Sequence, residues 1–126
     1  GLSGVSNDAR DIEQAAAAGN PQAELALKVF AADLKKYIGQ LLAILNGADA
    51  IVFTGGIGEN SSLIRQLALA QMDYAGIILD PDRNSTVRGE TTIHRADSRV
   101  QIWTVPTNEE IVVARQTVSA LSESRE

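Results

Sequence analysis

Ala50-Ile51-Val52-Phe53-Thr54-Gly55-Gly56-Ile57-Gly58-Glu59-Asn60 is the stretch on which the reading of this chain turns. A short apolar run bounded by polar turns has the pattern of a buried strand. It runs directly into three glycines within four positions, followed by an amide and two serines, Ser61 and Ser62. Such residues stabilise a core poorly, so the turn must serve either chain geometry or something that approaches the backbone. After it, Leu63, Leu67 and Ala70, with Ile64 beside them, have helical spacing over 61–72. Strand, glycine turn and helix make the central unit of an α/β fold.

Working outward from that unit, the preceding segment is the clearest helix. Asn20-Pro21 is a cap followed by proline at the first helical position. Leu27, Phe30, Leu34, Ile38, Leu41 and Leu45 then recur at spacings of three or four. They form one apolar stripe on a helix of about 25 residues, roughly 38 Å long. Asn46-Gly47 ends it. Lys35 and Lys36 belong to its solvated face. Further upstream, Asp8 caps a shorter helix to about Ala18, stopped by Gly19. Residues 1–7 have loop composition.

Downstream, Gly76-Ile77-Ile78-Leu79-Asp80 predicts a second short strand closed by Pro81, and 82–90 a polar surface excursion. Residues 91–94 suit an edge strand. Val100-Gln101-Ile102-Trp103-Thr104-Val105 alternates as a half-buried strand should, with Trp103 read as packing. A helix is expected from Asn108 to about Ala120.

Three stretches are candidates for chemistry. A strand that stops at glycines and opens into a helix leaves backbone N–H groups facing outward. The helix dipole adds partial positive charge there, and glycines remove the Cβ atoms that would hold an anion off. GGIGEN thus suits a phosphate or nucleotide, although it is neither a Walker loop nor GxGxxG. The competing reading is a tight strand-to-helix connection. In Pro106-Thr107-Asn108-Glu109-Glu110, Thr107 and Glu110 form a capping box. Glu109 is left over, a carboxylate at the carboxyl end of a strand, where open α/β sheets place ligands and Mg²⁺ can sit beside a phosphate. The helix dipole alone also favours an acidic residue there. In Ser6-Asn7-Asp8-Ala9-Arg10-Asp11, the cap and surface-charge reading of Asp8 and Arg10 stands beside recognition of a ribose or base. His94 is the only histidine, and no motif around it assigns it a role.

The totals set limits on these readings. The chain has 126 residues, enough for one domain with a modest core. A formal net charge of -5 argues against nucleic acid or an anionic membrane as the main partner. It leaves a nucleotide open, because a phosphate site needs only a few aimed donors. Cysteine is absent, which excludes disulfides and thiolate chemistry and fits a cytosolic protein. No apolar run is long enough to span a membrane as a helix. The first residue is Gly1, which fits an internal cut or a processed end.

Taken together, GVSNDARD, AELALKVFAADLKKYIG, GADAIVFTGGIGENSSLIR, ADSRV and VPTNEEIVVAR occur in an order and spacing that resemble the C-terminal part of the acetate kinase family. Propionate kinases are close relatives with the same signatures, and the likeness runs along essentially the whole chain. It implies a partial C-terminal lobe, a single partial domain over 1–126, of the α/β superfamily of acetate and sugar kinases, heat-shock proteins and actin, with its ribonuclease H-like sheet. It also implies transfer of the ATP γ-phosphoryl to acetate with Mg²⁺, giving acetyl phosphate and ADP, in a protein that is usually a homodimer. The same likeness implies that Asp8, Ala9 and Arg10 line an adenosine pocket and that Gly56, Ile57, Gly58 and Asn60 form the nucleotide turn. Glu109 becomes the metal-associated carboxylate.

The sequence departs from the family at Ala9, where an aromatic residue often stacks near adenine, and this bears on the tightness of base binding. Asp33 stands where relatives often carry a basic residue, a change with no functional account. The resemblance places the transition-state arginines, the catalytic histidine and the acetate pocket upstream of the matched part. These 126 residues are therefore expected to be inert alone and to hold half of an adenosine site. If strands of a larger sheet lie elsewhere, an unpaired edge would invite dimerisation or aggregation. The alternative is a non-enzymatic α/β assembly module descended from a kinase.

Overall fold

The computed structural model describes residues 9–106 and 112–114. Two helices open it, α1 (Ala9–Ala17) and α2 (Pro21–Leu45), packed on each other. Asn20 caps α2, its side-chain oxygen accepting from the N–H groups of Gln22 at 3.0 Å and Ala23 at 3.2 Å. These bonds satisfy donors that have no partner inside the helix. At the other end Asn46 takes the left-handed conformation and Gly47 N–H donates to Leu42 O at 2.7 Å. The helix thus begins and ends where its capping residues dictate.

Strand β1 (Ala50–Thr54) follows and leads without a gap into α3 (Gly55–Asn60) and α4 (Ser62–Leu69). The glycine segment is therefore itself a short helical turn rather than a loop ahead of one. Gly55 makes the switch from strand to helix with φ 75°, a value that costs any residue with a Cβ. Ser61 caps α4 by accepting from Ile64 N–H at 3.1 Å. Beyond α4 come a 3₁₀ turn (Asp73–Ala75), α5 (Pro81–Thr86), β2 (Thr91–Thr92), β3 (Gln101–Val105) and β4 (Val112–Ala114).

The four strands lie in the order β2-β3-β1-β4. β1 and β3 are parallel, with Ile51 opposite Ile102 and Thr54 opposite Val105. β2 and β4 run antiparallel to β3 and β1 respectively. One sheet face presents Ile51, Phe53 and Ile102 to a core closed by Ile38 of α2, Leu69, Met72, Ile77, Ile93 and Val100. Burying each of these large side chains contributes about 1.5–3 kcal/mol. Leu34, Leu41 and Leu45 pack against this cluster, so most of the α2 stripe does face the sheet.

The structure corrects five expectations. Residues 76–80 make no strand. Gly76 is left-handed at φ 80°, and the Ser98 hydroxyl takes the Ile78 N–H at 3.0 Å, leaving one isolated bridge between Leu79 and His94. Within 82–90, Asp80 caps α5 through Asp82 N–H and Arg83 N–H, and Asn84 is buried. Lys35 is not a purely solvated charge, because its ammonium donates to the carbonyl of Ala70 just past α4. Phe30 does not join the core and is 40% exposed. Finally, 112–114 are strand, not helix. The β-branched pair Val112-Val113 lies against the free edge of β1 and satisfies its backbone groups. The rest of the expected helix 108–120 lies outside the described residues, as do Asp8 and the capping box Thr107–Glu110.

Candidate functional site at the carboxyl edge of the sheet

Because Thr54 pairs with Val105, the chain leaves β1 through GGIGEN and leaves β3 through Pro106 side by side. Two of the three stretches singled out in the sequence thus depart from one edge, the carboxyl ends of a parallel pair. In open α/β sheets that edge is where ligands bind.

The three glycines of the turn have different physical reasons. Gly55 is fixed by its positive φ. A Cβ on Gly58 would make ordinary contact with Phe53 at 3.6 Å. Gly56 is exposed, has no positive φ, and a Cβ there would meet nothing within 4 Å. Neither backbone nor packing asks for glycine at position 56, and its open side faces a cleft.

Two clefts flank the turn. The first, about 360 Å³ including its open mouth, is walled by Phe30 and Leu34 of α2 on one side and by Thr54, Gly56 and Ile57 on the other. It is apolar, and the partly exposed Phe30 ring is one of its walls. The second, about 540 Å³ on the same measure, is polar and includes Asn60, Ser62, Asn84, Arg88 and Thr104. Asn60 is exposed there, at the end of α3.

Arg65 underlies the polar cleft with only 1% of its surface exposed. Its Nε donates to Asn84 Oδ1 at 2.7 Å and its Nη2 to Asn84 O at 3.1 Å. Its Nη1 donates to the carbonyls of Gly58 at 2.9 Å and Glu59 at 2.7 Å. Those carbonyls belong to the last turn of α3, where the helix has no N–H donors of its own to offer them. One guanidinium therefore ties the GGIGEN turn to α5. Burial lowers the Arg65 pKa to about 10, and the nearby Glu13 carboxylate works against that fall. The group stays a cation at neutral pH. On the other side of the junction, the Ser61 hydroxyl donates to Glu13 of α1.

Gly56, Ile57, Gly58 and Asn60 are thus brought together on one turn. Arg10 is exposed on α1, and Ala9 begins that helix. Asp8 and Glu109 lie outside the described residues. Among the described residues, no group of three or more His, Cys, Asp or Glu is placed to hold a metal ion. His94 has a structural occupation, its Nδ1 accepting from Ile102 N–H at 3.0 Å, so β2 and β3 stay paired beyond their two-residue ladder. Sequence reasoning missed Phe30, Arg65 and Asn84. For Arg65 a signal exists, since it lies three and four positions before Ala68 and Leu69 on the buried face of α4. A charge in that register needs buried acceptors.

The fold and this edge define the class: an open α/β protein with a glycine turn at the carboxyl ends of two parallel strands. Residues 1–115 match the Acetokinase family, and the chain belongs to that family. It is 50% identical over 123 residues to an acetate kinase of Dictyoglomus turgidum, covering 98% of this chain and 30% of that one. The crystal structure of Porphyromonas gingivalis acetate kinase superposes with a TM-score of 0.80 at 41% identity, over 84% of this chain and 27% of the other. A propionate kinase of Francisella tularensis superposes with a TM-score of 0.75 at 38% identity, over 87% and 28%. The chain therefore spans about 30% of the length of the curated relatives it matches. No helix of the described residues is long and apolar enough to cross a membrane.

Proposed function

We propose that this chain is the adenosine-side part of a kinase that moves phosphoryl between ATP and a short carboxylic acid, acetate by the names of its relatives. The observation that carries the reading is Gly56, open to a cleft at the ligand edge and required to be glycine by neither φ nor packing. Membership of the Acetokinase family supports a nucleotide as the ligand of that edge. Gly56, Ile57 and Gly58 would let a nucleotide approach the backbone, and Asn60 would hold it by side-chain hydrogen bonds. Asp8, Ala9 and Arg10 would line the adenosine on the α1 side. Mg²⁺ would come with the phosphates, with Glu109, three residues past Pro106 in the sequence, as its associated carboxylate. When bound, the ion neutralises phosphate charge.

Phosphoryl transfer depends on positioning and on positive charge around the transferred group. In the described residues the buried cation, Arg65, is committed to carbonyls and does not supply that charge. We therefore read this chain as a binding half, inert alone. The likeness to a propionate kinase supports propionate as the alternative acceptor.

Calorimetric titration with Mg·ADP tests the reading, with Asn60→Ala as control. Binding that is lost in the variant is the expected result. No binding by a folded chain, or equal binding by the variant, would sink these assignments.

A further inference from the structure

Ser61 holds two positions at once. Its oxygen accepts the Ile64 N–H and so caps α4, which leaves its hydroxyl proton free to donate. That proton goes to the carboxylate of Glu13, 48 residues earlier on α1. The same carboxylate acts on Arg65, whose guanidinium holds the Gly58 and Glu59 carbonyls. Glu13 therefore touches the residue that begins α4 and neighbours the charge that anchors the end of α3. It also lies three positions after Arg10, on the same face of α1. The hydrogen bond from Ser61 thus holds the Glu13 side of α1 against the start of α4.

We propose that Glu13, Ser61 and Arg65 are positioning residues, a bridge that sets the α1 face carrying Arg10 against GGIGEN and thereby sets nucleotide affinity. This rests on the nucleotide reading above. None of the three needs to touch the ligand. Beside the packing of α1 on α2, the charge-assisted hydrogen bond from the cap residue gives α1 a second, directional point of attachment.

Glu13→Gln in the full chain is the test, since it keeps shape and removes the charge. Mg·ADP should bind about threefold more weakly, because the glutamine oxygen still accepts from Ser61 and only the charge assistance is lost. Amide exchange at 57–60 should accelerate while that of the paired residues 51–53 and 102–104 stays as it was. The variant Glu13→Gln/Arg10→Ala should bind no more weakly than Arg10→Ala, because a mispositioned Arg10 has nothing left to lose. Additive losses, or exchange that rises evenly across the sheet, would overturn the bridge and leave Glu13 a stabilising contact only. Failure of the unaltered chain to bind Mg·ADP would overturn the nucleotide reading and with it the bridge's effect on affinity. Unchanged exchange at 57–60 would overturn the bridge whether or not nucleotide binds.

Discussion

Gly55 and Gly56 are adjacent and chemically identical, yet the fold asks different things of them. Alanine at 55 must adopt φ 75°, which costs about 1–2 kcal/mol and should lower the midpoint of urea unfolding accordingly. Alanine at 56 should leave that midpoint unchanged while weakening Mg·ADP binding, because its methyl enters open space where a ligand would come. The sequence shows a cluster of glycines but does not distinguish a glycine required by φ from one that leaves room. Arg65 is the second case. Replacing it by Leu takes the donor from the partly buried carbonyls of Gly58 and Glu59 and from the buried one of Asn84, and should destabilise the chain by about 3 kcal/mol. The pH dependence follows from the direction of its shift. Burial lowers the folded pKa from the ordinary arginine value to about 10, so the charged form opposes folding. That cost is fully present below the folded value and is relieved only as pH rises through it. Arg65 therefore adds no slope in the neutral range, and the loss in Arg65→Leu should be equal at about pH 6 and about pH 9 by urea titration.

The elements that were legible are those whose signals are local. Asn20-Pro21 and Asn46-Gly47 bracket α2, and the structure begins and ends that helix between them. Asn20→Ala should cost about 1 kcal/mol, measured as a lowered midpoint in thermal unfolding. Asp80-Pro81 is the same signature and starts α5, but it is followed by so few apolar residues that no stripe announces the helix. Its single buried side chain is Asn84, held there by Arg65, a partner 19 residues away. Residues 76–80 have strand composition, but a backbone at φ 80° and a serine hydroxyl from a distant turn use up their pairing. Val112 and Val113 form a strand because β1 has an open edge beside them, which no local pattern reveals. Local pattern was enough for α2, β1 and β3, and it failed at 76–80, at Asn84 and at 112–114, where a distant group fixes the outcome.

At the scale of the whole molecule, the ligand edge exists because of one pairing, β1 with β3. It brings the start of GGIGEN and Pro106 to one edge, and no signal inside either strand specifies it. Between the paired residues Ile51 and Ile102 lie α3, α4, α5 and β2, none of which can hold the edge on its own. The same pairing also orders events in time. Helix α2 can form in about a microsecond, but β1 must wait for a partner 51 positions later in the chain (102 − 51). At about 5–20 residues per second of synthesis, that wait is roughly 3–10 seconds. Through that interval β1 lacks the β3 and β4 neighbours it has in the fold, and the glycine turn lacks the strand end beside it. A newborn chain of this protein is thus most exposed to sticking in the seconds before its own β3 emerges.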